Sequence, residues 1–283
     1  MRRAALLAGL GLVGAGVGAA ALAASVRFAR YRSVLVDDLR WAAATGTEGV
    51  YTADDVDGLP APVQRYFEHV LTDGQPYVRA VRMTHRGEFR LGDATTPWRS
   101  LEATEHATTD PPGFVWDARI EMVPFVPVRV VDAYVNGRGV LRAKLLGAIT
   151  VADPEPGPEL DEGELLRYLA EAVWYPTALL PGNGVEWAAV DDRSARATLT
   201  HQGTTASLVF EFEDGDVRRV RGERPYTNSD GSYDRVEWVG HWEDYVERDG
   251  MLIPAAGSVE WHHPDGTVPY WRGRVVEVDY AYV

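Results

Sequence analysis

Residues 77–91 read YVRAVRMTHRGEFRL. Val81, Met83, Phe89 and Leu91 alternate with Arg82, Thr84, Arg86, Glu88 and Arg90. A period of two puts the apolar set on one face and the charged set on the other, which is the pattern of a half-buried antiparallel strand. GFVWDARIEM, residues 113–122, repeats it, with Phe114, Trp116, Ala118, Ile120 and Met122 on one side. PWRSLEATEHA, VRVVDAYVNG and GVLRAKLLGAITVA supply three more strands before residue 153.

After residue 184 the strands resume and run to the end of the chain. Gln202-Gly203, Asp214-Gly215, Asp249-Gly250 and Asp265-Gly266 punctuate them, as Asn136-Gly137 does earlier. Such pairs suit tight hairpin turns, where the backbone needs positive φ. The count comes to about a dozen strands and two helices. The helices are LPAPVQRYFEHV, with prolines in its first turn, and DEGELLRYLAEAVWYP, which Pro176 stops. The expected fold class is α+β: a large antiparallel sheet with a helix across it. So many half-apolar strands exceed what two short helices can cover, so the sheet is expected to curl into a half-barrel with an apolar interior.

The second helix is the candidate site. On a wheel, Leu165, Leu166, Leu169, Val173 and Pro176 share one arc. Arg167, Glu171 and Trp174 take the opposite arc, with Tyr168 and Tyr175 beside them. A solvent-facing arc rarely carries a tryptophan and two tyrosines, so this one is covered by a ligand or by the fold itself. The ligand-binding candidates are Arg167, Tyr168, Glu171, Trp174, Tyr175 and, from the strand 113–122, Trp116. The alternative is a helix packed on both sides, with Arg167 and Glu171 a satisfied pair.

The N-terminal segment from Ala4 to Val26 has no charged residue. At about 1.5 Å per residue it makes a helix of about 34 Å, enough for a hydrocarbon core of about 30 Å. It is read as a single-pass transmembrane anchor, so residues 1–40 form anchor and juxtamembrane arm and residues 41–283 one β-rich domain. Ala21-Leu22-Ala23 offers the competing reading of a cleaved signal peptide. Arg27, Arg30 and Arg32, directly after that site, oppose export. The arginine count on the two flanks leans toward a cytoplasmic domain, whereas the half-barrel plan favours an extracytoplasmic one, and the latter is the expectation.

The formal charge is −14 and the first 40 residues are net basic, so the domain itself is strongly acidic. That argues against nucleic acid as a partner. Without cysteine there is neither a disulfide nor a thiolate. His262 and His263 are neighbours in a strand and point to opposite faces, so with His241 they do not make one metal site. No dinucleotide or nucleophile-elbow motif is present, and no metal, cofactor or catalytic residue is assigned.

LPAPVQRYF, GFVWDARI, VDAYVNGRGVL, LLRYLAEAVWYPTALLP and GVEWAAVDDRSARATL together resemble a bacterial and archaeal family of uncharacterised, membrane-anchored proteins, over about residues 59–283. The resemblance implies an N-terminal membrane segment and no mechanism. The strand-helix-strand plan is also similar, in architecture only, to half-barrel lipoprotein carriers of the cell envelope. Three functions stay open at this point. The first is a membrane-anchored protein binding an apolar or lipid-like ligand. The second is a tethered scaffold for a protein partner. The third is an enzyme pairing Glu171 with Asp117 or Asp132.

Overall fold

Thirteen strands form a single antiparallel sheet in the computed structural model, which describes residues 2–45, 49–123, 126–228 and 230–282. The side chains of residues 2–18, 45 and 123 lie outside that description. Helix α1 (Arg2–Ala42) leads to α2 (Ala61–Val70) and then to strands β1 (Val78–Phe89), β2 (Arg99–Thr109), β3 (Pro112–Val123), β4 (Val126–Val135), β5 (Arg138–Leu145) and β6 (Ile149–Ala152). Helix α3 (Pro158–Glu171) follows, continued by short 3-10 turns to Asn183. The second half is β7 (Val185–Asp191), β8 (Ser194–His201), β9 (Thr204–Glu213), β10 (Asp216–Thr227), β11 (Tyr233–Arg248), β12 (Met251–His263) and β13 (Gly266–Tyr282).

The order across the sheet is β6-β5-β4-β3-β2-β1-β13-β12-β11-β10-β9-β8-β7. The chain therefore starts at the middle and walks to one edge. It then crosses by α3 to the other edge and walks back, until β13 pairs with β1. Helix α3 packs on β3, β4 and β5 from one half and on β9 and β10 from the other. In a flat sheet β5 and β9 would stand about 43 Å apart, nine spacings of about 4.8 Å. A helix with its side chains is only about 10–12 Å wide. The sheet must therefore wrap around α3.

A row of glycines marks where it bends. Gly87, Gly273 and Gly257 face one another across β1, β13 and β12, and Trp242 completes the row on β11. A Cβ on Gly87 would come within 2.1 Å of the Arg272 carbonyl oxygen, and one on Gly257 within 2.8 Å of the Trp242 ring. Only a residue without a side chain allows strands to approach this closely at a corner.

Two apolar layers follow from the alternation. Phe114, Trp116, Ala118 and Ile120 point into the main core inside the curl, with Leu165, Leu169 and Val173. Their neighbour Val115 points outward and joins Val131, Ala133 and Val135 under Phe28 and Leu39 of α1. The far end of the curl, where the β9–β10 and β11–β12 turns lie, is plugged by α2 through the fully buried Tyr66 and Phe67. The expected strand 139–152 is two strands, because Leu146 (φ 53°) and Gly147 (φ 71°) make a turn inside it.

The expected transmembrane span, Ala4–Val26, falls mostly on side chains outside the description. Among the described residues no helix is long and apolar enough to cross a membrane.

A tryptophan-lined cavity with a buried charge cluster

The curl leaves a cavity of about 1030 Å³ between its two halves, with α3 along one side. That is at or above the usual range of about 300–1,000 Å³ for small-molecule pockets. Six of the nine tryptophans line it: Trp116, Trp174, Trp238, Trp242, Trp261 and Trp271. Each sits on an inward parity position of its strand or on the turn after α3. Ile120, Val128, Val130 and Leu141 complete the opposite wall.

The cavity opens at the end where β1 passes into β2 and β12 into β13, with Leu91–Thr95 and Asp265–Val268 on its lip. Alternation along the sheet puts the β5–β6 turn at the same end. There Ser25 of α1 donates a hydrogen bond to the Leu146 carbonyl at 2.7 Å. From Leu39 back to Phe28 α1 lies along the outside of the sheet, and its earlier residues leave the sheet on the mouth side. Leu22, Val26, Leu146, Ile149, Val151 and Leu91 are all exposed at this end.

The polar groups of the cavity meet on the inner face of α3. The Arg167 guanidinium donates to Asp132 of β4 and, at 2.9 Å, to Glu171 one turn on, with Glu105 of β2 at 3.9 Å. It stacks 4.8 Å over both Phe114 and Trp116. A turn earlier, Glu164 pairs with Arg224 of β10 at 3.6 Å. Four carboxyl groups thus surround two guanidinium groups in a buried volume.

Both oxygens of Glu105, one each of Asp132, Glu164 and Glu171, and His85 Nε2 meet no donor or acceptor. Carboxyl faces carboxyl instead: Glu105 abuts Glu171, and Glu164 abuts Asp132. Two buried carboxylates cannot both ionise at such range. Burial first, and then the neighbouring carboxylate, holds Glu105 and Glu164 well above the ordinary carboxylate range, and burial raises Glu171 as well. Glu105 and Glu164 are therefore the two acids whose protonated form the cluster favours most. His85, whose Nδ1 accepts from Trp116 Nε1 at 3.3 Å, is pushed down to about 3 by burial and by Arg167, so it is neutral.

Of the six residues singled out from sequence, Arg167, Glu171, Trp174 and Trp116 lie on the cavity wall. Tyr168 and Tyr175 do not. Tyr168 donates to the Thr108 carbonyl at 3.0 Å, and both rings are buried in the core behind the helix. The wheel placed them beside the polar arc, but both arcs of α3 are covered, so adjacency on the wheel does not mean a shared surface. Trp174 belongs to both environments: it lines the cavity and donates to the Pro254 carbonyl at 3.0 Å. Asp117 is not near Glu171. It faces outward and pairs with Arg32 of α1 at 2.6 Å. Asp132 is near, but Arg167 lies between the two carboxylates.

His85, Glu105, Glu164, Arg224 and the four tryptophans of β11, β12 and β13 were not singled out from sequence. A usable signal existed for the tryptophans, since Trp238, Gly240 and Trp242 share one strand parity and a mid-strand glycine leaves room for a large ring. His262 and His263 do point to opposite faces. His262 and His241 both hydrogen-bond Glu260, at 2.8 and 3.2 Å, while His263 lines the cavity. Among the described residues no group of three or more His, Asp or Glu is placed to hold a metal.

The chain belongs to a family of unknown function, DUF6920, matched over residues 57–280. A comparison with curated proteins finds no match. Among solved structures it is similar to a LolA superfamily protein, NE2245, from Nitrosomonas europaea, at 7% identity and a TM-score of 0.39 over 80% of this chain and 94% of that one. It is also similar to a beta-barrel-like protein of the DUF1849 domain family from Brucella abortus, at 13% identity and a TM-score of 0.19 over 72% and 99%.

Proposed function

We propose that this member of the DUF6920 family is a membrane-tethered protein that holds an apolar or amphipathic ligand, lipid-like in size, inside its curled sheet. One observation carries the reading: a cavity of about 1030 Å³ walled by six tryptophans that protein side chains leave unfilled. Protein interiors are close-packed, and a large apolar void forfeits contact energy unless something occupies it. A wall of tryptophan and aliphatic groups with a few polar groups at one place suits an amphiphile, the chain against the indoles and the head near Arg167 and Glu164.

The geometry of the mouth supports tethering as part of the same function. Residues 4–26 are uncharged and leave the sheet on the mouth side, where Leu22, Ile149 and Val151 are exposed. With that segment in a bilayer, the mouth sits at the lipid surface and a ligand exchanges without crossing water. In this reading the domain lies outside the cytoplasm, and a C-terminal alkaline phosphatase fusion without activity contradicts that side.

The test narrows the cavity. Ala143 of β5 is buried and lines it. The full chain in amphipol is expected to take up the neutral apolar dye N-phenylnaphthylamine, and Ala143→Trp, which narrows the cavity, is expected to weaken uptake while the circular dichroism spectrum stays unchanged. Equal uptake by both proteins contradicts the assignment of this cavity.

A further inference from the structure

The acid surplus around α3 has a chemical meaning for the ligand. Glu105, Asp132, Glu164 and Glu171 outnumber Arg167 and Arg224 by two. Glu164 is about 95% buried, lines the cavity, and its Oε2 meets no donor, only the neighbouring Asp132 carboxyl, with which it can share a proton. One oxygen each of Asp132 and Glu171, on the same wall, is also without a donor. Both guanidinium groups are already engaged, Arg167 by Asp132 and Glu171 and Arg224 by Glu164. An anionic head at this cluster would meet four carboxyl groups, and the cavity's other arginine, Arg90, lies toward the mouth, over the Trp98 ring.

Trp116, Trp174 and Trp238 line the cavity beside this cluster, and the guanidinium groups of Arg167 and Arg224 lie 4.8 and 5.8 Å over the rings of Trp116 and Trp238, so these indoles already hold cations. We propose that the preferred ligand is an amphiphile with a positively charged nitrogen head, an alkylammonium or aminolipid, whose N–H donors are taken by Glu164, Asp132 and Glu171 and whose chain runs along the tryptophan wall. This rests on the cavity being a ligand site and adds the charge of its occupant.

The proton balance follows. In the free protein Glu164 keeps a proton that it shares toward Asp132. An ammonium entering between them supplies the donor instead, so that proton leaves to solvent as the ligand binds. The groups facing this site are His85 on β1, Glu105 on β2, Asp132 on β4, Glu164, Arg167 and Glu171 on α3, Arg224 on β10 and Tyr270 on β13, with Arg90, Asp93, Glu159, His263 and Asp265 also on the cavity wall. His85 is neutral throughout the working range and Tyr270 is held protonated by burial. Affinity for the cation therefore rises with pH until the amine itself loses its charge near pH 10.

The experiment compares three heads on one chain. Dodecylammonium, dodecanol and dodecanoate are titrated against bound N-phenylnaphthylamine, using the full chain in amphipol. Dodecylammonium is expected to displace the dye at about tenfold lower concentration than either of the others, which corresponds to about 1.4 kcal/mol. Glu164→Gln is expected to remove that preference, and a circular dichroism spectrum matching that of the natural chain shows that the variant is folded. Equal displacement by all three, or tighter binding of dodecanoate, overturns the charge assignment and leaves an uncharged or anionic apolar ligand. Dye that none of the three displaces overturns the ligand site itself along with it.

Discussion

Replacing Arg167 by methionine isolates what holds the cluster together. The two side chains have similar length, so the change removes charge and donors more than volume. Arg167 donates to Asp132 and Glu171, and its guanidinium covers the faces of Phe114 and Trp116 at 4.8 Å. A hydrogen bond to a charged group is worth about 1.5–3 kcal/mol, and a desolvated cation over an indole about 2 kcal/mol. Methionine recovers part of this as apolar contact on the same rings. The expected net loss at pH 7 is about 3–5 kcal/mol, the range for breaking one side of a buried ion pair. The loss has a pH signature as well. Without Arg167, Glu171 loses the main cation that lowers it, so its folded pKa, already raised by burial, rises further. A carboxyl raised on folding binds a proton as the chain folds, and that stability is lost as pH rises toward the folded value. Relative to the natural chain the variant should therefore lose up to about 1.4 kcal/mol per pH unit once pH passes the natural chain's own folded value. Urea unfolding of the full chain in amphipol, followed by tryptophan fluorescence at pH 5, 6 and 7, measures both. A loss below about 1 kcal/mol that is flat with pH would refute the picture of Arg167 as the counter-ion of a dry cluster.

Two further outcomes test other parts of the account. Glu105 is raised by burial and by Glu171, so its contribution to stability is present below about pH 4.3 and is lost as pH rises toward its folded value. Glu105→Gln keeps the shape of the protonated acid, so between pH 5 and 8 the natural chain should lose stability against this variant, and His85, present in both, cancels; parallel curves contradict a protonated Glu105. For the bend, Gly257→Ala puts a methyl 2.8 Å from the Trp242 ring, and thermal unfolding should show a destabilisation of about 1–3 kcal/mol, whereas Gly157→Ala, in extended backbone with no atom closer than 3.5 Å, lacks that clash.

Much of the fold was legible because period-two alternation depends only on neighbours in sequence. Val81 and Met83, or Phe114, Trp116 and Ile120, face inward as their alternation predicts. The turns Asn136-Gly137, Gln202-Gly203, Asp214-Gly215 and Asp249-Gly250 take positive φ at both residues, the backbone such pairs favour. The need to curl followed from strand number alone. What stayed hidden is assembled across distance. Glu164 meets Arg224 sixty residues on, and Glu105 meets Glu171 only after the sheet has wrapped, so no local pattern marks either pair. Tyr168 and Tyr175 show the limit of the wheel, which orders residues around α3 and is silent on whether a ligand or the core covers each arc. Glu171 was visible through its i, i+4 arginine, but Glu105, the acid against it, and Asp132, the other acid on Arg167, come from β2 and β4, and no local pattern ties them to α3.

Native mass spectrometry of the full chain, purified in the mildest detergent that extracts it and ejected from the micelle, tests the central claim most directly. The account predicts a mass above that of the polypeptide by about one amphiphile, retained at collision energies that strip surface detergent and less populated in Ala143→Trp. A bare polypeptide mass in both proteins, with no uptake of dodecylammonium or dodecanol on addition, would contradict it.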